Sequence, residues 1–176
     1  AIGSALLLLA SLAIADPWYV HYANAEQAIE AEDWARAVQE TNEALARKGD
    51  SGARVRAYGM NVTPYFPYLQ LGIAYYHLGQ FDGALQAFET EARLGAIEQS
   101  AAANADLQQY RALAEQALVA ANAAERERVR KVVEQSLGDA RELERRGQLA
   151  EAMAALDRAL AVAPDNADAQ TAMSAL

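Results

Sequence analysis

The chain has no cysteine, which excludes disulfide staples, thiol catalysis and thiolate metal sites within it, and lipid attachment through a cysteine. That absence does not choose a compartment. Histidine is nearly as scarce. His21 and His77 are the only two, and neither has a second His or Cys at metal-ligand spacing, so the common zinc patterns are gone. There is no Gly-rich phosphate loop, no Ser-His-Asp set and no paired-acid motif. Asp165-Asn166-Ala167-Asp168 lacks the Gly and the distal Glu that a calcium loop needs. The expectation is therefore no enzyme activity, no cofactor and no metal site. Basic residues are also short: 15 Lys and Arg stand against 24 Asp and Glu, a net charge of −9 that argues against nucleic acid and anionic membrane surfaces as partners. Aromatics are 7% of the chain, and Val and Ile are too few for a large α/β core.

What the sequence does have is alanine, which dominates a hydrophobic share of 53%. Close-packed helix pairs with small residues at their crossings produce that balance. The densest pattern is Tyr68–Glu91. Tyr68, Leu71, Gly72 and Tyr75 fall at i, i+3, i+4 and i+7, one face of a helix that also takes in Leu78. Gly79 stops it in the left-handed turn that ends helices. A second helix follows with Phe81, Ala84, Leu85 and Phe88 inward. Gly72 and Ala84 are small where the two helices cross.

Near the C-terminus, Gly147–Pro164 repeats the turn and second helix, with Leu149, Ala152 and Leu156 standing where Phe81, Ala84 and Phe88 stood. Ala84 and Ala152 are 68 positions apart, twice a 34-residue period. A first copy lies upstream. Trp34, Ala37, Thr41, Ala44 and Leu45 mark its second helix, closed by Gly49. Its first helix starts at Asp16-Pro17, a cap residue followed by proline, and carries Tyr22, Ala25, Ala28 and Ile29.

This arrangement resembles the tetratricopeptide repeat (TPR), the helix–turn–helix unit with the pattern W-x2-L-G-x2-Y…A-x3-F…P. Tyr68, Leu71, Gly72, Ala74, Tyr75, Gly79, Phe81, Ala84 and Phe88 carry the match. Glu91 departs from it where alanine is usual, and Ala96 where proline is usual. The resemblance implies an all-α right-handed superhelix of stacked hairpins, with a long helix between the second and last repeats, whose role is to hold another protein. The expected segments are a degenerate hairpin at 16–49, an irregular insertion at 50–63, the best-matching repeat at 64–96, a connecting helix at 97–124, a C-terminal repeat at 125–164 and the start of a further helix at 165–176.

Ser100–Gly147 reads as either two helices joined near Asn122–Glu125 or one long helix. Ser100 is its N-cap, and Asp165-Asn166-Ala167-Asp168 reads as the turn and N-cap of a further helix. Within the insertion, Arg54–Tyr58 alternates and is compatible with an extended strand. The insertion is either a binding loop or a surface excursion that packs Tyr58 and Met60 back on the helices.

In such repeats the first helices line the concave face. On the central first helix a second apolar face carries Phe66, Leu69, Ile73 and Tyr76, flanked by Gln70 and His77. Tyr19, Tyr22 and Glu26 match it in the first copy. These nine residues form the candidate partner-binding groove, with simple packing as the alternative. Some members of the family grip a peptide carboxylate with Lys, Arg and Asn on these helices. Leu69, Gln70 and Ile73 stand here instead, so an apolar helix or extended peptide is the expected partner. The runner-up is a targeting or assembly module of a longer enzyme or signalling protein; a self-associating solenoid is a third reading.

Residues 1–15 include the apolar run Ala5–Ala15, ending in the small-x-small pattern of an export-signal cleavage site. The run is short of the roughly 20 residues of a membrane span. Export to a periplasmic or extracellular compartment is expected, with an uncleaved membrane anchor as the alternative.

Overall fold

A computed structural model describes residues 16–176; the expected signal or anchor at 1–15 lies outside the described residues. The described chain is a mostly helical repeat fold in two compact units, the first reaching to Glu115 and the second covering Gln116–Leu176.

In the first unit, α1 (Trp18–Glu30) and α2 (Trp34–Arg47) form the first hairpin, and α3 (Pro67–His77) and α4 (Phe81–Leu94) the second. Small side chains set the crossings. Ala25, Ala28, Ala37 and Ala44 are buried in the first hairpin, and Ala74, Ala84 and Ala87 in the second. At Gly72 a Cβ would stand 2.3 Å from the Phe88 ring, so the missing side chain is the space that ring occupies. Phe88 then anchors a cluster with Phe66, Leu69, Ile97, Leu107 and Ala114.

The interhelical turns share one geometry. Gly79 has φ 74°, and the N–H groups of Gly79 and Gln80 donate back to the carbonyls of Tyr76 and Tyr75. Glu32 takes the same place in the first hairpin with φ 56°, where a side chain costs roughly 1–2 kcal/mol that glycine would not.

The hairpin ends differ from expectation by a residue or two. α1 begins at Trp18 with Pro17 in the cap position; the hydrocarbon ring has no acceptor to offer a side-chain cap, and the Pro17 carbonyl accepts from Val20 N–H at 3.0 Å. α2 ends at Arg47 and is closed not by Gly49 but by Lys48, which leaves the helix in extended geometry. Leu78, expected in the core, is 40% exposed because the helix has already ended at His77 and the turn points it outward.

The segment between the hairpins is ordered and is the exception to an all-α chain. β1 (Gly52–Arg56) and β2 (Val62–Tyr65) pair antiparallel, with Val55 opposite Thr63 and an irregularity between Gly52 and Val55. Its inner face supplies Val55 and Tyr65 to a cluster with Trp18, Tyr22 and Ala44. Tyr65 Oη donates to the Lys48 carbonyl at 2.7 Å. Its tip does not pack: Tyr58 is 72% and Met60 93% exposed.

After a short 3-10 turn at Ala96–Gln99, α5 runs from Ala101 to Arg145 as one helix. Ser100 Oγ accepts from Ala103 N–H at 3.4 Å, as an N-cap should. The opening turns of α5 pack Leu107 and Ala114 into the first unit's core. In the second unit its later turns pack Val133 and Ala140 against α6 (Leu149–Val162) and α7 (Ala167–Ala175). Gly147 makes the turn at φ 74°. Ala152, Ala155, Leu156 and Ala159 are fully buried, and Asn166 caps α7 by accepting from Ala169 N–H at 2.9 Å.

Candidate functional site

The first unit contains a groove of about 550 Å³. α1 contributes Tyr22, Glu26, Ile29 and Glu30; α3 contributes Leu69, Gln70 and Ile73; α5 contributes Ala102, Ala103 and Asp106. Pro64, Phe66 and Ser100 complete the wall. Two successive first helices, α1 and α3, thus share one concavity with the opening turns of α5.

The lining is apolar at the floor and acidic at the edges. Phe66 and Leu69 are buried, and Tyr22 closes the end of the floor, its hydroxyl accepting from Phe66 N–H at 3.1 Å. Burial pushes the Tyr22 hydroxyl pKa well up, so it stays neutral. Gln70 is nine-tenths buried; its Nε2 donates to Glu26 Oε1 at 3.3 Å, while its own Oε1 has no donor. The Glu26 side chain is exposed as a whole, but its carboxylate leans against Gln70. Desolvation there raises its pKa, the Gln70 bond opposes the rise, and the like charge of Glu30 one turn on adds to it.

Six of the nine sequence-chosen residues meet in this groove: Tyr22, Glu26, Phe66, Leu69, Gln70 and Ile73. The other three lie elsewhere. Tyr19 stands edge-on to Trp18. Tyr76 is on the same stripe as Leu69 and Ile73, but Tyr110 of α5 covers it edge-on with ring centroids 5.8 Å apart. His77, a further 100° round the helix, stacks on Trp34 at 3.9 Å with planes 6° apart. Its ring cements the two hairpins. His21 is likewise engaged, its Nδ1 2.7 Å from Glu40 Oε2.

Sequence reasoning missed the α5 contribution by reading that stretch only as a connecting helix. The available signal was Ser100, an N-cap placed directly after a repeat's second helix, where the next first helix belongs. It also missed Glu91. Fully buried on α4, Glu91 turns its Oε2 to the start of α3 and accepts from Tyr68 N–H at 3.0 Å and Leu69 N–H at 3.3 Å. α3 has Phe66 at its cap position and no cap of its own, so an anion borrowed from the neighbouring helix satisfies its first turn. Desolvation raises the Glu91 pKa against those bonds, helped down by Ser51. Glu91 Oε1 and Ser51 Oγ are nonetheless each buried outside hydrogen-bonding geometry.

Among the described residues no group of three His, Asp or Glu side chains is placed to hold a metal ion, and no helix is long and apolar enough to cross a membrane. No protein-family model and no curated protein sequence matches the chain. Among solved structures it is similar to the Arabidopsis OM64 TPR domain, with 19% identity, 90% of this chain and 92% of that chain covered, and a TM-score of 0.44. A likeness so distant carries no residue of that domain's site over to this chain.

Proposed function

We propose that this protein is a non-catalytic interaction scaffold that binds a segment of a partner protein in the groove between α1, α3 and the start of α5. The observation that supports this reading is the groove itself. Its volume of about 550 Å³ falls within the roughly 300–1,000 Å³ of sites that bury most of a ligand. Its floor is apolar, and its side-chain amide and carboxylates can fix a backbone or a side chain.

Peptides selected from a random display library on the wild-type protein test this reading. Ala103→Trp fills the groove from α5, and Ile73→Ser removes part of its floor. Selected peptides are expected to lose at least about tenfold in affinity, about 1.4 kcal/mol, on both variants while circular dichroism stays helical. Undiminished binding to folded Ala103→Trp would mean that the groove is packing only.

We also propose that the apolar run before Asp16 directs export, on the strength of its length and its small-x-small ending. Fusing residues 1–20 to a reporter that is active only outside the cytoplasm is expected to give activity there. A reporter retained in the cytoplasm would reject the proposal.

A further inference from the structure

The groove's charges all have one sign. Glu26 and Glu30 on α1 and Asp106 on α5 line it, and no Lys or Arg does. Six acids further along α5 are paired: Glu115, Glu125, Glu127, Glu134, Asp139 and Glu142 each meet an arginine. Among the described residues, Glu26, Glu30 and Asp106 are in no such pair. Glu26 and Glu30 are moreover i, i+4 on one helix, a spacing at which like charges repel.

A second observation points inward from the same place. Gln70, nine-tenths buried beneath Glu26, spends its Nε2 on that carboxylate and leaves its Oε1 without a donor. A buried acceptor of this kind costs stability unless something donates to it. An arriving guanidinium or ammonium brings donors and positive charge together, and is more readily accommodated among carboxylates than any acid would be.

Resting on the groove reading above, we propose that the groove selects an extended peptide segment in which an arginine or lysine side chain adjoins apolar side chains. The cation sits between Glu26 and Asp106, and the apolar neighbours lie on Phe66, Leu69 and Ile73. Acidic groups supplied by two separate helices suit side chains strung along a chain better than a single terminal amine. The polarity is opposite to that of a carboxylate grip.

Titration of the full chain by NMR tests this. The probes are nonapeptide pools, acetylated and amidated at their ends, with Leu, Ile, Ala, Ser and Tyr randomised around a fixed central Arg, Gln or Glu. The amides of Gln70, Ile73 and Ala103 are followed. The Arg pool is expected to bind at least about tenfold more tightly than the Gln pool, with the Glu pool weakest. Glu26→Gln combined with Asp106→Asn should collapse the Arg preference to near unity, and salt should erode it. Both are exposed positions, so the variant is expected to keep its fold.

Equal binding of the Arg and Gln pools would overturn the charge rule while leaving the groove reading in place. Silence from every pool would remove the groove reading itself, and this inference with it. A Gln pool with a free amino terminus binding as well as the blocked Arg pool would reassign the site to chain ends and overturn the proposal. Shifts at these amides on dilution without peptide would make the occupant a second copy of the chain, with the same effect.

Discussion

Gly72 and Gly138 are both helical glycines, and the fold gives them opposite meanings. A Cβ on Gly72 would meet three atoms of the Phe88 ring between 2.3 and 2.8 Å, and that ring is held on all sides by the core. Overpacking of this kind costs about 1–3 kcal/mol, while the gain in helix propensity from glycine to alanine returns about 1. Gly72→Ala is therefore expected to lower stability by up to about 2 kcal/mol. Gly138 has nothing within 4 Å of its Cβ position, so Gly138→Ala is expected to raise stability by up to about 1 kcal/mol. Urea unfolding of the two variants reads both signs. A stabilised Gly72→Ala would mean that the α3–α4 crossing is looser than its distances say.

Among the elements, α5 departs most from a repeat made of short hairpins. It runs for 45 residues, yet all ten residues from Val119 to Arg128 are exposed to solvent. Propensity and local ion pairs, such as Glu125 with Arg128 and Glu127 with Arg130, are what hold this stretch. Exposed pairs contribute little and are screened by salt. Local opening should be easiest there. Brief trypsin treatment is expected to cut first after Arg126 or Arg128, and faster at high salt, with fragments identified by mass. A first cut after Arg54 or Arg56 would place the weakest point in the β-hairpin instead. The sequence allowed both a broken and an unbroken helix here, because its joint was inferred from a lapse in the apolar stripe. Such a lapse ends packing without ending the helix, since Asn122–Glu125 contains no glycine or proline to break the backbone.

At the scale of the whole molecule, the hairpins were legible because small residues recur at each crossing and glycine recurs at two of the turns. The groove was legible along α1 and α3, where a second apolar stripe remained after the core stripe was assigned. Tyr76 and His77 misled because periodicity gives a face but not its neighbour, and Tyr110 and Trp34 come from distant parts of the chain. The acid cap was illegible for the same reason: Glu91 acts 22 and 23 residues away, on Leu69 and Tyr68.

That cap also shapes the response of stability to pH. Burial raises the Glu91 pKa above its ordinary 4.5. Between that ordinary value and the raised one the folded state holds the extra proton, so this group's contribution is full at lower pH and is lost as pH rises through the window. Glu91→Gln has no such proton. The stability of wild type relative to Glu91→Gln is expected to decline as pH climbs from 4 toward 7 in thermal melts. A difference that stays flat or grows would mean that the α3 N–H groups outweigh burial. Glu26, raised for the same first cause, is present in both proteins and cancels in the comparison.

Averaging across many repeats would write alanine at position 91, and consensus-guided engineering would offer it as an improvement. In this chain that edit would strip two amide donors of their acceptor at the threshold of the helix that floors the groove. The commonest residue is the wrong one here, because this glutamate belongs to its neighbour's helix as much as to its own.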